Sequence, residues 1–426
     1  MSKNDLIKAL SGGELDEKLK KVYVTNEEVE KQRKRYAELY ELFCEEFGEA
    51  DEVSFLSAPG RTEVCGNHTD HNNGKVLAAS INLDAVAVAK KVNGNITRVK
   101  SVGHSMDTVD ILDMNVHTEL FSKSSELIRG VCAEFIERGY NVGAFEAYTT
   151  SDVLSGSGLS SSAAFEVLIG TVLNHLFNDG KVSAEEIAQI AQKAENKYFG
   201  KPCGLMDQMA SSVGSFVKID FEDTKNPIIE KVDFDFSSSP YALCIVDTGG
   251  SHSDLTNEYA AVRKNMESVA EFFGKKVLRE VDEKEFYSSV AKIRSEKGDV
   301  PVLRAMHYFE DNKRVDKEAE ALAENNFDEF MNLVIESGRS SYMYNQNVYP
   351  CSAPDNQNLS VALATAERIL KGKGAWRVHG GGFAGTMQAF VPNDMLDEYT
   401  NEMKAIYGEK SCYVLSIRPV GGVKVI

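Results

Sequence analysis

The chain has 426 residues, 42% of them hydrophobic and 26% charged, a globular balance with length enough for two or three domains. Its formal net charge of -18 excludes a general nucleic-acid binder, so any polyphosphate site must be built locally from backbone N–H groups, a metal and a few cations. No run approaches the ~20 apolar residues of a membrane span, the N-terminus lacks a signal-peptide core, and seven scattered cysteines without C-x-x-C spacing read as reduced, mostly buried thiols of a cytoplasmic protein.

Residues 1 to about 50 are rich in Glu, Lys and Leu. Tyr36, Leu39, Tyr40, Phe43 and Phe47 share one helical face, which predicts one or two amphipathic helices. Val53 to Ser57 reads as a short strand entering residues 57 to 81, where Arg61, Glu63, Asn67, His68, Asp70 and His71 sit among Gly60, Gly66 and Gly74. A guanidinium, an imidazole and carboxylates at such density suit a polyhydroxy ligand beside a phosphate; the plainer alternative is a polar loop capping a sheet. His68 and Asp70 lack further His or Cys at ligand spacing, which argues against zinc.

Strands follow over 81 to 90 and 97 to 102, then a helix over 120 to 138 and a strand around Phe145, Ala147 and Thr149. Thr150 to Ala164 is a Gly-Ser loop feeding a helix at Ala163, Phe165, Val167 and Leu168. Free N–H groups and the helix dipole make such a junction an anion site. It is not a P-loop, since no Gly-Lys-Ser/Thr follows, and Ser161 stands where a dinucleotide fingerprint wants its third glycine. A second helix spans 183 to 198, with Ser183 as N-cap and Glu186 at the capping-box position. Glu195 on it is either a surface residue or a metal ligand. Asp207, after Gly204 and among Leu205, Met206 and Met209, is either a helix cap or a working base.

Residues 215 to 250 alternate as strands, with turns near 223 to 227 and 237 to 240. Helices follow from Ser253, over 301 to 325 and over 358 to 371, and the tail returns to strands at 376 to 379, 387 to 391 and 412 to 417. Gly380 to Gly385 is a loop of close backbone approach or a tight hairpin. Strands and helices with a long helical second half predict an α+β protein of two lobes, 1–225 and 226–426.

Three stretches together resemble the sugar-kinase branch of the GHMP kinases: A-P-G-R-x-x-x-x-G-x-H-T-D-x-N-x-G at 58 to 74, G-x-G-L-S-S-S-A at 156 to 163, and G-G-G-F-x-G at 380 to 385. Their order and spacing, with M-D-Q at 206 to 208 and H-S-x-L-x-x-E-Y-x-x-x-R at 252 to 263, are similar to the galactokinase family from about Phe47 onward. The resemblance implies a two-lobed GHMP kinase fold with the active site in the cleft, and transfer of the ATP γ-phosphate to the anomeric hydroxyl of a galactose-like sugar. It implies that Gly156, Ser157, Gly158, Leu159, Ser160, Ser161, Ser162 and Ala163 cradle the phosphates. Ser162, or its neighbour Ser161, and Glu195 would hold Mg²⁺. Asp207 would act as base or orienting carboxylate, and Arg61 would stabilise charge on the phosphoryl group and keep Asp207 ionised. His68, Asp70, Gly204 and Tyr259 would hold sugar hydroxyls. The expected partners are a small sugar and ATP, with no nucleic acid and no membrane, in a monomer or weak dimer.

The chain departs from the family's pattern at instructive places. The family has Glu where Asn67 stands, and Asn where Glu63 stands. In an extended stretch 63 and 67 share parity, so the carboxylate would be relocated to the same side. Alternatively, a neutral Asn67 tolerates a carboxylate at C6, making the substrate galacturonate; removing a like-charge clash is worth roughly several kcal/mol. The usual Ser-His near position 337 reads Ser337-Gly338, without an evident reason. A reading of another class is a sugar and nucleotide sensor without turnover; the presence of Ser162, Ala163, Arg61, Asp207 and Glu195 favours the enzyme.

Overall fold

The computed structural model describes residues 3–50, 52–153, 158–232, 234–250, 255–383 and 385–426. The N-terminal stretch forms α1 (Lys3–Ser11), α2 (Asp16–Leu19) and α3 (Asn26–Phe47), three helices where one or two were expected. Thr25 caps α3 by accepting from the Glu28 N–H. Its aromatic face is buried as the periodicity predicted: Tyr36 stacks on Phe55 with ring centroids 5.7 Å apart, and Tyr40, Phe43 and Leu39 complete the seam.

The first sheet has the order β12-β1-β2-β5-β3-β4, from β1 (Ser54–Cys65), β2 (Lys75–Lys91), β3 (Ile96–Ser101), β4 (Met106–Asp110), β5 (Phe145–Ser151) and the two-residue β12 (Val423–Lys424). The start of β2 also pairs with β6 (Phe216–Asp220), which pairs with β7 (Ile228–Val232), so this sheet draws on residues both before and after 225. β1 is twelve residues long rather than a short entry strand, and every one of its residues is buried. The polar stretch is therefore strand, not loop, as far as Cys65. Register shifts between Pro59 and Arg61 and between Glu63 and Cys65 bend it, re-aiming side chains as bulges do.

Against this sheet lie α4 (Ser124–Glu137), α5 (Ser161–Phe177), α6 (Ala184–Lys193) and α7 (Met206–Val213). α5 carries its apolar residues almost all round (Val167, Leu168, Ile169, Val172, Leu173), as a central helix must. Ser183 and Glu186 form the expected capping box on α6. The second sheet, all antiparallel, has the order β11-β8-β10-β9, from β8 (Tyr241–Asp247), β9 (Ala375–Val378), β10 (Thr386–Pro392) and β11 (Cys412–Leu415). On it pack α11 (Phe327–Ser340), α12 (Asn358–Leu370) and α13 (Leu396–Tyr407), while α8 (Thr256–Phe272), α9 (Glu283–Lys297) and α10 (Asp299–Ala323) share a core of their own, with α10 reaching back to β1 and β2 of the first sheet. Trp376 of β9 is buried in the core between this sheet and α12.

Two sheets with segregated helices give the expected α+β, two-lobed architecture. Among the described residues no helix is long and apolar enough to cross a membrane. Cys44, Cys65, Cys132, Cys244 and Cys412 are buried, Cys203 is half-buried and Cys351 is exposed.

Candidate active site

Where the lobes meet, Arg61, Glu63, Asn67, His68, Asp70, His71, Cys203, Gly204, Met206, Asp207, Gly380 and Gly381 line a cavity of about 170 Å³. They come from β1 and the turn after it, from the start of α7, and from the β9–β10 connection. The glycine connection is thus both readings at once, a hairpin between paired strands and a wall of backbone brought close to the cavity.

Asp207 is not a helix cap: it lies in the first turn of α7, and Leu205 holds the N-cap position without a side-chain bond. Nor is its setting apolar, because its carboxylate faces the polar wall. Arg61 Nε donates to Asp207 Oδ1 at 2.7 Å, and Ser160 Oγ donates to Asp207 Oδ2. Burial pushes the Asp207 carboxyl up, but the Arg61 charge and these hydrogen bonds outweigh it and hold the group below its ordinary range. Arg61 Nη1 also donates to the Gly158 carbonyl, and the Arg61 N–H donates to the Leu159 carbonyl at 3.1 Å, so β1 is stitched to the foot of α5. Gly60 is required there, since a Cβ would meet the Leu159 oxygen at 2.8 Å.

Of the stretch expected to cradle phosphates, Gly156 and Ser157 lie outside the described residues. Gly158 has φ +72° and Ser160 φ +60°, a left-handed pair that turns the chain into α5. Leu159 and Ala163 are fully buried, leaving Ser161 and Ser162 in the first turn of the helix. Ser162 Oγ donates to Glu195 Oε1 at 3.0 Å. Glu195 is no surface residue: it is 2% exposed, in a π-helical turn, Ala194–Phe199, that continues α6. Gln208 Nε2 bridges Glu195 Oε2 at 2.8 Å and Glu166 Oε2 at 3.1 Å. Glu166 Oε1 and Gln208 Oε1 are buried without a hydrogen-bond partner. Among the described residues no cluster of three His, Cys, Asp or Glu forms a metal cage. A hydroxyl, a carboxylate and orphaned oxygens fit Mg²⁺, a hard cation that takes few protein oxygens and completes its shell with water and substrate phosphates.

Glu63 and Asn67 do meet, though not by strand parity. β1 ends at Cys65, and Gly66 (φ +87°) and His68 (φ +61°) form a turn that swings Asn67 back. Asn67 Nδ2 donates to Glu63 Oε1 and to the Gly380 carbonyl, both at 2.7 Å, while Asn67 Oδ1 accepts from Asn347 Nδ2 at 2.7 Å. The Asn67 amide is therefore consumed by protein partners. Glu63 has Arg377 behind it, Nη2 to Oε1 3.5 Å; burial, the dominant influence, raises its carboxyl above the ordinary range. His68 Nε2 donates to the Gly381 carbonyl at 2.9 Å, and burial, then His71, lowers its imidazole to about 4. A Cβ at Gly204 would meet Asp70 Oδ2 at 2.8 Å, so glycine there leaves that carboxylate its place. Tyr259 differs from the other expected sugar contacts: it stands behind the glycine connection, donating to the Gly382 carbonyl at 2.9 Å, with Gly381 against its ring.

Sequence reasoning missed several groups. His379, buried, takes the Glu63 N–H on Nε2 at 3.3 Å and approaches Thr386 Oγ1 with Nδ1 at 3.0 Å. Asp311 Oδ2 accepts from the N–H groups of Gly66 and Asn67 at 3.2 and 3.1 Å, fixing the turn, and Ser337 donates to its other oxygen at 2.8 Å. Ser337-Gly338 now has an account: Ser337 orients Asp311, and a Cβ on Gly338 would crowd the Cβ of Arg377 at 2.9 Å. Lys201 and Gln208 lie within or beside quoted motifs, and their proximity to Asp207 and Glu195 was the available signal.

Residues 126–215 match the GHMP kinase N-terminal domain, and residues 41–91 match the galactokinase galactose-binding signature. The chain is 32% identical over 367 residues to a galactokinase of Glaesserella parasuis, covering 83% of this chain and 89% of that protein. It is 31% identical over 350 residues to a Haemophilus influenzae galactokinase, covering 80% and 85%. The fold matches that of Lactococcus lactis galactokinase complexed with galactose with a TM-score of 0.77 and 25% identity, over 91% of this chain and 99% of that one. A mevalonate kinase superposes with a TM-score of 0.61 at 13% identity over 85% of this chain and 99% of the other, a likeness of fold alone.

Proposed function

The chain belongs to the galactokinase family of GHMP kinases and is a sugar kinase, and from that premise we propose that it transfers the γ-phosphate of ATP to the anomeric C1 hydroxyl of galactose or a close analogue. The observation that carries this reading is the Arg61–Asp207 pair, set between the foot of α5 and the sugar-sized cavity. Phosphoryl transfer asks for positioning and charge neutralisation more than covalent chemistry. The N–H groups at the start of α5 hold phosphate oxygens. Ser162 and Glu195 hold Mg²⁺, which when bound neutralises phosphate charge. Arg61 neutralises the transferring group, and Asp207, ionised, orients the sugar hydroxyl and accepts its proton. Glu63, His68, Asp70 and the amide of Gly204 hold sugar hydroxyls, with Tyr259 supporting the wall behind Gly381. Asn67 positions Glu63 rather than touching the sugar.

The same geometry favours a neutral sugar over galacturonate. Asp70 and Asp207 put two carboxylates on one small cavity with the Glu63 carboxyl beside them, and a uronic acid would add a further negative charge. The two lobes divide near residue 225, with β7 and β12 returned to the first sheet, in a monomer or weak dimer. The decisive experiment measures ADP release with galactose, galacturonate, N-acetylgalactosamine and glucose. Galactose should give the highest kcat/KM. Equal or better turnover of galacturonate would reject the specificity argument, and saturable sugar binding without any ADP release would replace the enzyme by a sensor.

A further inference from the structure

Lys201 occupies a place that the reaction as drawn leaves unused. It directly follows the π-helical turn, its N–H bonded to the Glu195 carbonyl at 3.1 Å, and its Nζ lies 2.8 Å from Glu195 Oε1. That oxygen is the one that accepts from Ser162 in the first turn of α5. The lysine side chain is 58% exposed while the Glu195 side chain is 2% exposed, so the ammonium approaches the carboxylate from the open side of the site. Two and three residues on, Cys203 and Gly204 line the sugar cavity. Lys201 thus stands at the junction of helix foot, metal-fitting carboxylate and sugar cavity.

The charge balance there is lopsided. Asp70, Glu195 and Asp207 bring three carboxylates to the site beside the buried acids Glu63 and Glu166, and Arg61 is engaged with Asp207. A polyphosphate entering needs a further mobile cation. Lysine supplies a compact charge with three donors on a flexible stem, and an ion pair reached from solvent holds it only weakly.

We propose that Lys201 is a phosphate-neutralising residue that rests on Glu195 while the nucleotide site is empty and turns to the polyphosphate once nucleotide is seated. This rests on the kinase reading above. A structural salt bridge makes the opposite forecast, which lets one measurement decide. If Lys201 only paired Glu195, its removal would free that carboxylate, and binding of Mg·ADP would tighten or stay the same. If Lys201 serves the phosphates, binding weakens.

The test is calorimetric titration of Mg·ADP into the full-length protein, the Lys201→Met variant and the Lys201→Arg variant. About tenfold weaker binding is expected for Lys201→Met, with Lys201→Arg recovering most of it, galactose affinity unchanged and kcat reduced in parallel. Binding of Mg·ADP to Lys201→Met within twofold of the parent, or tighter, overturns the proposal. A parent protein that binds no Mg·ADP overturns the nucleotide reading itself, and this inference falls with it.

Discussion

At Asp207 two forces act on one proton. Burial favours the neutral acid, and the Arg61 guanidinium with the Ser160 hydroxyl favours the carboxylate and prevails. The acid limb of kcat/KM should therefore lie below the ordinary carboxylate range, and Arg61→Met should move it upward while lowering kcat; an unmoved limb would mean that another group titrates there. Asp207→Asn keeps the shape and loses the basicity. Its kcat should fall by about 10²–10⁴-fold with Mg·ATP affinity retained, and near-normal kcat would remove Asp207 from the chemistry. Arg61, His68 and Asp70 stood out in the sequence because so many hydrogen-bonding side chains between close-approach glycines are rare, and all three line the cavity. The state of Asn67 was not, since its amide is claimed by Gly380 and Asn347, some 280 to 313 residues away in the chain.

Helix α3 reaches the first sheet through a polar anchor at Asp84 as well as its aromatic face. Asp84 of β2, fully buried, accepts from Arg35 Nη1 at 2.5 Å, Tyr23 at 2.6 Å, Arg418 at 2.9 Å and Ser57. Removing one partner of such a buried cluster leaves the remaining charge stranded, so Asp84→Ala should cost about 3–5 kcal/mol in denaturant unfolding. A loss under about 1 kcal/mol would mean that α3 docks by its apolar seam alone. The seam itself was readable, because large apolar side chains recurring at 3.6 spacing mark one face of a helix. Helices α9, α11 and α13 were not found. In α9 the fully buried apolar side chains reduce to Phe286 and Ile293, too sparse a stripe for periodicity to register. β1 was cut short for the opposite reason: its buried polar residues are satisfied by distant partners, Thr62 and Glu63 by His379 and Gln388 and Arg61 by Asp207, and a sequence pattern shows such residues only as polar.

On the scale of the molecule, the interior holds ionisable groups whose protonation opposes their usual state. Burial lowers the imidazoles of His379 to about 3, His68 to about 4, and His307 below its ordinary 6.5. The unfolded chain binds these protons first, so they subtract stability as pH falls from about 6.5. Glu318, fully buried in α10, is raised by burial to about 8, and Glu166 and Glu63 are raised too. These keep their protons in the native state, so their contribution is present below the ordinary 4.5 and is lost as pH rises through the raised values. The two sets offset between about 4.5 and 6.5. Stability should therefore peak in mild acid, drop below about 4.5 as Asp84 and Asp311 also protonate, and decline toward pH 8. Denaturation midpoints at pH 4, 5.5 and 8 would show it, and Glu318→Gln should flatten the alkaline side; an unchanged alkaline slope would refute this account. Two lobes and an α+β class could be inferred from the order of strands and helices, whereas the return of β12 to the first sheet follows from long-range pairing that no local pattern encodes. One last consequence concerns Trp376, the chain's sole tryptophan, on β9 directly beside the arginine that backs Glu63. Light emitted at its wavelength comes from a single address in the protein, one residue along the strand from Arg377. A change in that emission on adding a colourless, unlabelled carbohydrate would report, through the Arg377–Glu63 pair, that the cavity is filled, without coupling enzymes, dyes or any substitution.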